Sequence, residues 1–116
     1  MNNIVSIEIN IKGLTQENII IRDGKCIKNG IEFNITTEKI LELIRLIRTW
    51  KEEYGCDNKL DSEEFKVTLI EKEVYTFHGK GVFPENYSNF KEWLGGLDAW
   101  FLFKTIKYGW NPKRKN

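Results

Sequence analysis

The chain has 116 residues, 41% hydrophobic and 30% charged, with a net charge of +1. That balance excludes a disordered or fibrous chain, and the length predicts one domain with its own core. The longest unbroken apolar run, Ala99 to Phe103, falls far short of the roughly 20 apolar residues that span a bilayer. No basic n-region leads into an apolar stretch at the N-terminus, so no signal peptide is expected. Two cysteines, Cys26 and Cys56, are too few for a disulfide framework. The expected location is the cytoplasm.

Val5, Ile7, Ile9 and Ile11 alternate with Ser6, Glu8, Asn10 and Lys12, the period of two of a half-buried antiparallel strand. Residues 13–18 read as a polar turn. Asp23-Gly24 and Asn29-Gly30 each suit a two-residue type I′ hairpin turn, which needs positive φ at both positions. With both turns in place, Ile21 faces Cys26 and Cys26 faces Phe33. Ile19, Ile21, Cys26, Ile31, Phe33 and Ile35 then share one face. A one-residue slip would scatter that set, so the two turns support each other and predict a tight meander.

Thr36 or Thr37 is the candidate N-cap of the next element, with Glu38 in its first turn. Ile40, Leu43, Ile44, Ile47, Trp50 and Tyr54 recur at helical spacing and predict an amphipathic helix over 37–54, with Gly55 at C′. A polar loop over 56–64 follows. A three-residue loop, Glu71-Lys72-Glu73, puts Phe65, Val67, Leu69, Tyr75 and Phe77 on one face of a hairpin. Lys66, Thr68, Thr76 and His78 then lie on the wetter face, whereas a two-residue loop would scatter the apolar set. Gly79-Lys80-Gly81 is expected to break the strand. Pro84 and Asn86 open a helix striped by Tyr87, Phe90, Trp93 and Leu94, which Gly95-Gly96 should end. Asp98 is the candidate cap of a third segment, in which Ala99, Leu102, Phe103 and Ile106 share a face.

Reactive constellations are sparse. His78 is the only histidine, and nucleophilic catalysis needs a base beside its nucleophile. Cys26 is expected in the core. Cys56 neighbours Asp57, whose charge works against a thiolate. Histidine and cysteine together supply fewer ligands than the roughly four of a structural zinc site. The stretch 57–62 lacks the glycine of a calcium loop, and Thr68 stands where its final glutamate belongs. Glu63 and Glu64 point apart on a strand and make a poor acid–base pair. Gly79-Lys80-Gly81 reads as a strand end or bulge, or else as a small anion nest beside Lys80. No enzymatic activity, metal or cofactor is expected.

Charge and aromatic rings are concentrated late in the chain. From Lys104 onward there are five basic residues and no acidic one, which leaves −4 on residues 1–103. Of the 15 aromatic residues, 11 lie between Tyr75 and Trp110, more than a small core readily hides. Trp100, Phe101 and Tyr108 fall outside the stripe of Ala99, Leu102, Phe103 and Ile106. They are either buried by the rest of the domain or exposed as a partner surface. The candidate partner-binding residues are Lys104, Lys107, Tyr108, Trp110, Lys113, Arg114 and Lys115. Ile, Lys and Asn supply 40 of the 116 residues and Ala only one, the AT-rich coding bias of a low-GC bacterium or its phage.

The run Gly79-Lys80-Gly81, Phe83-Pro84-Glu85-Asn86-Tyr87, Phe90-Lys91, Trp93-Leu94 resembles a segment of small uncharacterised proteins of low-GC Gram-positive bacteria and their mobile elements. It spans residues 79–94, and the resemblance implies no activity and no site residue.

The expected fold is α+β, with an antiparallel sheet of about five strands built from the meander and the later hairpin. Helices pack on one face, and the other face, with Glu8, Asn10, Lys12, Lys66, Thr68 and Thr76, is wet. Residues 1–110 are expected as the domain and 111–116 as a basic tail. The expected function is that of a noncatalytic protein-binding module, an inhibitor, immunity or anti-defence protein. The alternative is a nucleic-acid-binding accessory protein that uses the basic-aromatic C-terminus, with bases stacking on Tyr108 and Trp110. A protein is the expected partner and nucleic acid the second candidate. No membrane is involved, and the oligomeric state is left open.

Overall fold

The computed structural model describes residues 5–57, 59 and 62–108, with 98–108 described by backbone alone. The chain divides into two compact units, Met1–Glu85 and Asn86–Asn116. The first unit contains β1 (Ser6–Lys12), β2 (Gln16–Arg22), β3 (Lys25–Lys28), β4 (Ile31–Asn34), α1 (Thr37–Ile47), β5 (Glu53–Cys56), β6 (Glu64–Ile70) and β7 (Val74–Lys80). The strands form one seven-stranded sheet in the order β4-β3-β2-β1-β6-β7-β5. The β5–β7 pair is parallel and the others are antiparallel.

The meander forms in the expected register. Asp23 and Gly24 have φ of 56° and 73°, and Asn29 and Gly30 have 50° and 88°, as type I′ turns require. Ile21 pairs with Cys26, and Cys26 with Phe33. Asn29 also ties its turn to β2. Its Oδ1 accepts from the Asn18 N–H at 2.9 Å, and its own N–H donates to the Asn18 carbonyl at 2.8 Å.

Pairing brings the inward residues of successive strands into rows. Ile19, Ile9, Val67 and Phe77 make one row, and Ile21, Ile7, Leu69 and Tyr75 the next. Of these, Ile7, Ile9 and Val67 have no exposed surface. Glu17 is the polar intrusion on this face among the described residues. It stands opposite Ile11, and its Oε1 is buried without a hydrogen-bond partner. α1 covers the apolar face with Leu43, Ile44 and Ile47, all buried. Thr36 caps it, its Oγ1 accepting from the Lys39 N–H at 3.2 Å. Thr36→Ala should cost about 1 kcal/mol in urea denaturation. An unchanged midpoint would show that the cap contributes nothing net.

Several expectations need correction. The sheet has seven strands and is mixed, not five and antiparallel. α1 stops at Ile47 instead of running to Tyr54. The Arg48 N–H still reaches the Ile44 carbonyl, but Trp50 N–H turns back onto the Ile47 carbonyl at 3.1 Å. From Glu52 the chain joins β7: His78 N–H donates to the Glu52 carbonyl at 3.0 Å and Asp57 N–H to the Lys80 carbonyl at 2.9 Å. A longer helix would have left this edge of β7 without strand partners. Trp50 still enters the core, from a turn, edge-on to Phe65 at 5.6 Å and to Phe77 at 6.0 Å. Gly55 is no C′ residue; it lies in β5 with φ of 92°.

Residues 16–18 belong to β2, so the first turn is only 13–15, closed by Gly13 N–H to the Thr15 carbonyl at 2.9 Å. β7 continues through Gly79 and Lys80 instead of breaking there.

The second unit contains α2 (Tyr87–Tyr108). Asn86 precedes its first turn, and its carbonyl accepts from the Phe90 N–H at 3.1 Å. Tyr87, Phe90, Trp93, Leu94 and Leu97 form one buried stripe. This is one helix where two were expected: it passes through Gly95, Gly96 and Asp98. A glycine inside a helix costs about 1 kcal/mol relative to alanine, which weakens a helix without ending it. The buried Leu94 and Leu97 on either side of the pair hold one continuous stripe. Among the described residues, no helix is long and apolar enough to cross a membrane. The expected tail, 111–116, lies outside the described residues.

Candidate functional site

The alternation that buries Ile7, Ile9 and Ile11 sends Glu8, Asn10 and Lys12 to the opposite face, where all three are exposed. Register then builds transverse rows there. Gln16, Lys12, Glu64 and Lys80 form one, and Asn18, Asn10, Lys66, His78 and Glu53 the next. Lys66 and His78 are exposed, and Lys80 is half-buried. Toward the middle of the sheet, Ile20, Glu8, Thr68 and Thr76 follow. A hollow of about 260 Å³ opens on this side, lined by Asn10, Lys12, Glu64, Phe65 and Lys66.

A second hollow, of about 280 Å³, lies at the β6–β7 turn, lined by Val5, Glu71, Lys72, Glu73 and Tyr75. Its carboxylates are engaged within the chain. Arg48 Nη2 meets Glu71 Oε2 at 2.7 Å, and Tyr75 Oη donates to Glu73 Oε1 at 3.3 Å. The charge of Glu73, then partial desolvation, pushes the Tyr75 phenol above its usual range. This cluster ties the end of α1 to the hairpin.

The glycine run forms no anion nest. Gly81 has φ of 74°, and its N–H is taken by the Glu63 carbonyl at 2.9 Å. The Asp57 carboxylate lies against Gly81, where a Cβ would collide with it. Asp57 Oδ1 accepts from Ser62 Oγ at 2.6 Å and from the Lys59 N–H at 3.2 Å. The Ser62 hydrogen bond is the main reason that this carboxyl sits below its ordinary value of 3.8. A lowered value means that its contribution to stability is present at neutral pH and fades as pH falls through it.

The cysteines separate by burial. Cys26 has no exposed surface, and desolvation pushes its thiol from 9.0 up to about 11, against a small lowering by Lys28. Cys56 is exposed, and its Sγ–H donates to the Asp57 carbonyl at 3.0 Å. Both are free. A maleimide should therefore label one thiol per native chain and two in denaturant. Equal labelling of both in the native state would show that Cys26 is not enclosed. His78 pairs across the sheet with Lys66 and Glu53, and Cys26 lies on the other face. Among the described residues, no three His, Cys, Asp or Glu side chains converge to hold a metal.

Of the residues expected to bind a partner, Lys104, Lys107 and Tyr108 lie on the last turns of α2, described by backbone alone. Trp110, Lys113, Arg114 and Lys115 lie outside the described residues. Gln16, Asn18 and Lys80 join the open face, although the polar run 13–18 predicts a turn and Gly79-Lys80-Gly81 a strand break. Continuing the period of two through both segments would have found them. Comparison with protein-family models, curated proteins and solved structures finds no match to this chain.

Proposed function

We propose that this protein is a noncatalytic protein-binding module of the bacterial or phage cytoplasm, of the inhibitor, immunity or anti-defence kind. The observation that carries this reading is the open face of the seven-stranded sheet, with polar side chains from successive strands presented to solvent in rows. The two hollows, about 280 and 260 Å³, fall below the roughly 300–1,000 Å³ of small-molecule sites. Among the described residues, this broad polar surface suits a macromolecular partner. The free thiols accord with a reducing compartment. The segment 104–115 remains part of the proposal as a second contact, its cations adding encounter rate more than affinity.

Co-purification at mild salt followed by gel filtration tests the reading. A stoichiometric protein companion that survives nuclease treatment is expected. Nucleic acid as the sole companion would replace this reading with that of a nucleic-acid-binding accessory protein. Truncation after Gly109 should weaken partner binding by more than about 1 kcal/mol with little change in Tm if the tail is a contact. A fall in Tm with unchanged binding would assign Trp110 to the core.

A further inference from the structure

We propose that the end of the open face carrying Lys12 and Lys66 docks an acidic stretch of a protein partner, whose carboxylates seat in the hollow between these two ammonium groups. The inference rests on the protein-binding reading above and names its surface and its partner chemistry.

The pairing of β1 with β6 puts Glu64 opposite Lys12 and Lys66 opposite Asn10. Lys12 and Lys66 are thus diagonal neighbours on one face, with backbones about 7–8 Å apart. Side chains of that length bring both ammonium groups within reach of a single carboxylate. Both are exposed, and neither makes an ion pair among the described residues. Elsewhere on this face a cation is already matched: Lys25 Nζ lies 3.4 Å from Glu32 Oε2. The hollow is also lined by the Asn10 amide, a neutral donor, and by Glu64 opposite Lys12, so that its two cations face one carboxylate of the chain's own.

The composition of the face favours a polypeptide over nucleic acid. Among the outward positions of β1, β2, β6 and β7 the one aromatic ring is the His78 imidazole, opposite Lys66, so the face lacks the succession of rings on which a single strand stacks. Glu8 and Glu53 flank this end of the face, and a continuous phosphate backbone running along it would meet them. An acidic peptide places its carboxylates at intervals and can leave those positions to its own neutral or basic residues.

Titration of the full chain, labelled with ¹⁵N, with a peptide of alternating glutamate and glycine tests the proposal. Amide shifts should centre on Asn10, Lys12, Glu64 and Lys66. Apparent affinity should fall about fivefold in the Lys12→Gln/Lys66→Gln double variant. Both positions are exposed, and the dispersion of the variant's own spectrum verifies its fold. Shifts confined to 104–116 would overturn this site and leave the protein-binding reading standing. An oligothymidylate of equal charge that shifts the Lys12–Lys66 region at lower concentration than the peptide would overturn both. No shift at saturating peptide would overturn the inference alone, since co-purification tests the broader reading independently.

Discussion

Phe65→Ala should lower the free energy of unfolding by about 3–5 kcal/mol, the range for truncating a buried aromatic residue. Phe65 has no exposed surface. Its ring centroid lies 5.6 Å from Trp50, 6.1 Å from Tyr54 and 6.0 Å from Phe83. Those three rings come from the segment after α1, from β5 and from the segment after β7. Removing Phe65 therefore takes the shared contact from two stretches of chain, 50–54 and the segment after β7, that lie on either side of it in sequence. A domain of this size is commonly stable by only about 5–15 kcal/mol, so the loss is a large part of the total. Ile44→Ala, in the stripe of α1, should cost about 2–5 kcal/mol by the same mechanism. Urea denaturation measures both. A change for Phe65→Ala within about 0.5 kcal/mol, the range of a surface position, would show that its ring is not in close-packed core.

Gly79→Ala should destabilise by about 1–3 kcal/mol, the cost of forcing a methyl group into filled space. A Cβ there would lie 2.6 Å from the Val82 carbonyl oxygen and 2.9 Å from both Phe65 Cε1 and Tyr54 Cβ. One of those neighbours is backbone, so it cannot swing away as a flexible side chain would. Gly95→Ala is the contrasting case. Gly95 is helical, and a Cβ there meets nothing within 4 Å among the described residues. It should stabilise by up to about 1 kcal/mol through helix propensity. Equal effects at the two glycines would contradict the packing described around β7.

Much of the fold was legible because its determinants are local. Period-two alternation marks β1, β6 and β7, and Asp23-Gly24 and Asn29-Gly30 specify turns whose backbone few other pairs adopt. Two such turns within one meander leave a single register that keeps Cys26 beside Ile21 and Phe33. The β6–β7 register follows from the same reasoning: Val67 pairs with Phe77, and Leu69 with Tyr75. Helical spacing likewise marks the body of α1 and the stripe from Tyr87 to Leu94.

Tertiary structure decided where local preference was weak or where distant partners competed. Trp50 and Tyr54 fit the helical stripe of α1, yet the chain leaves the helix because β7 offers backbone hydrogen bonds to Glu52 and Asp57. The Gly95-Gly96 pair resembles a helix stop, yet the cost of two glycines is small beside the burial of Leu94 and Leu97 around them. Gly79 reads as a breaker, but it is a strand residue whose missing side chain makes room for Val82, Phe65 and Tyr54. The sequence by itself determined the strand faces, the tight turns and the outward direction of Lys12 and Lys66, because each depends only on near neighbours. That these two lysines flank one hollow was decided by the pairing of β1 with β6, since strand order depends on contacts between segments that periodicity cannot see.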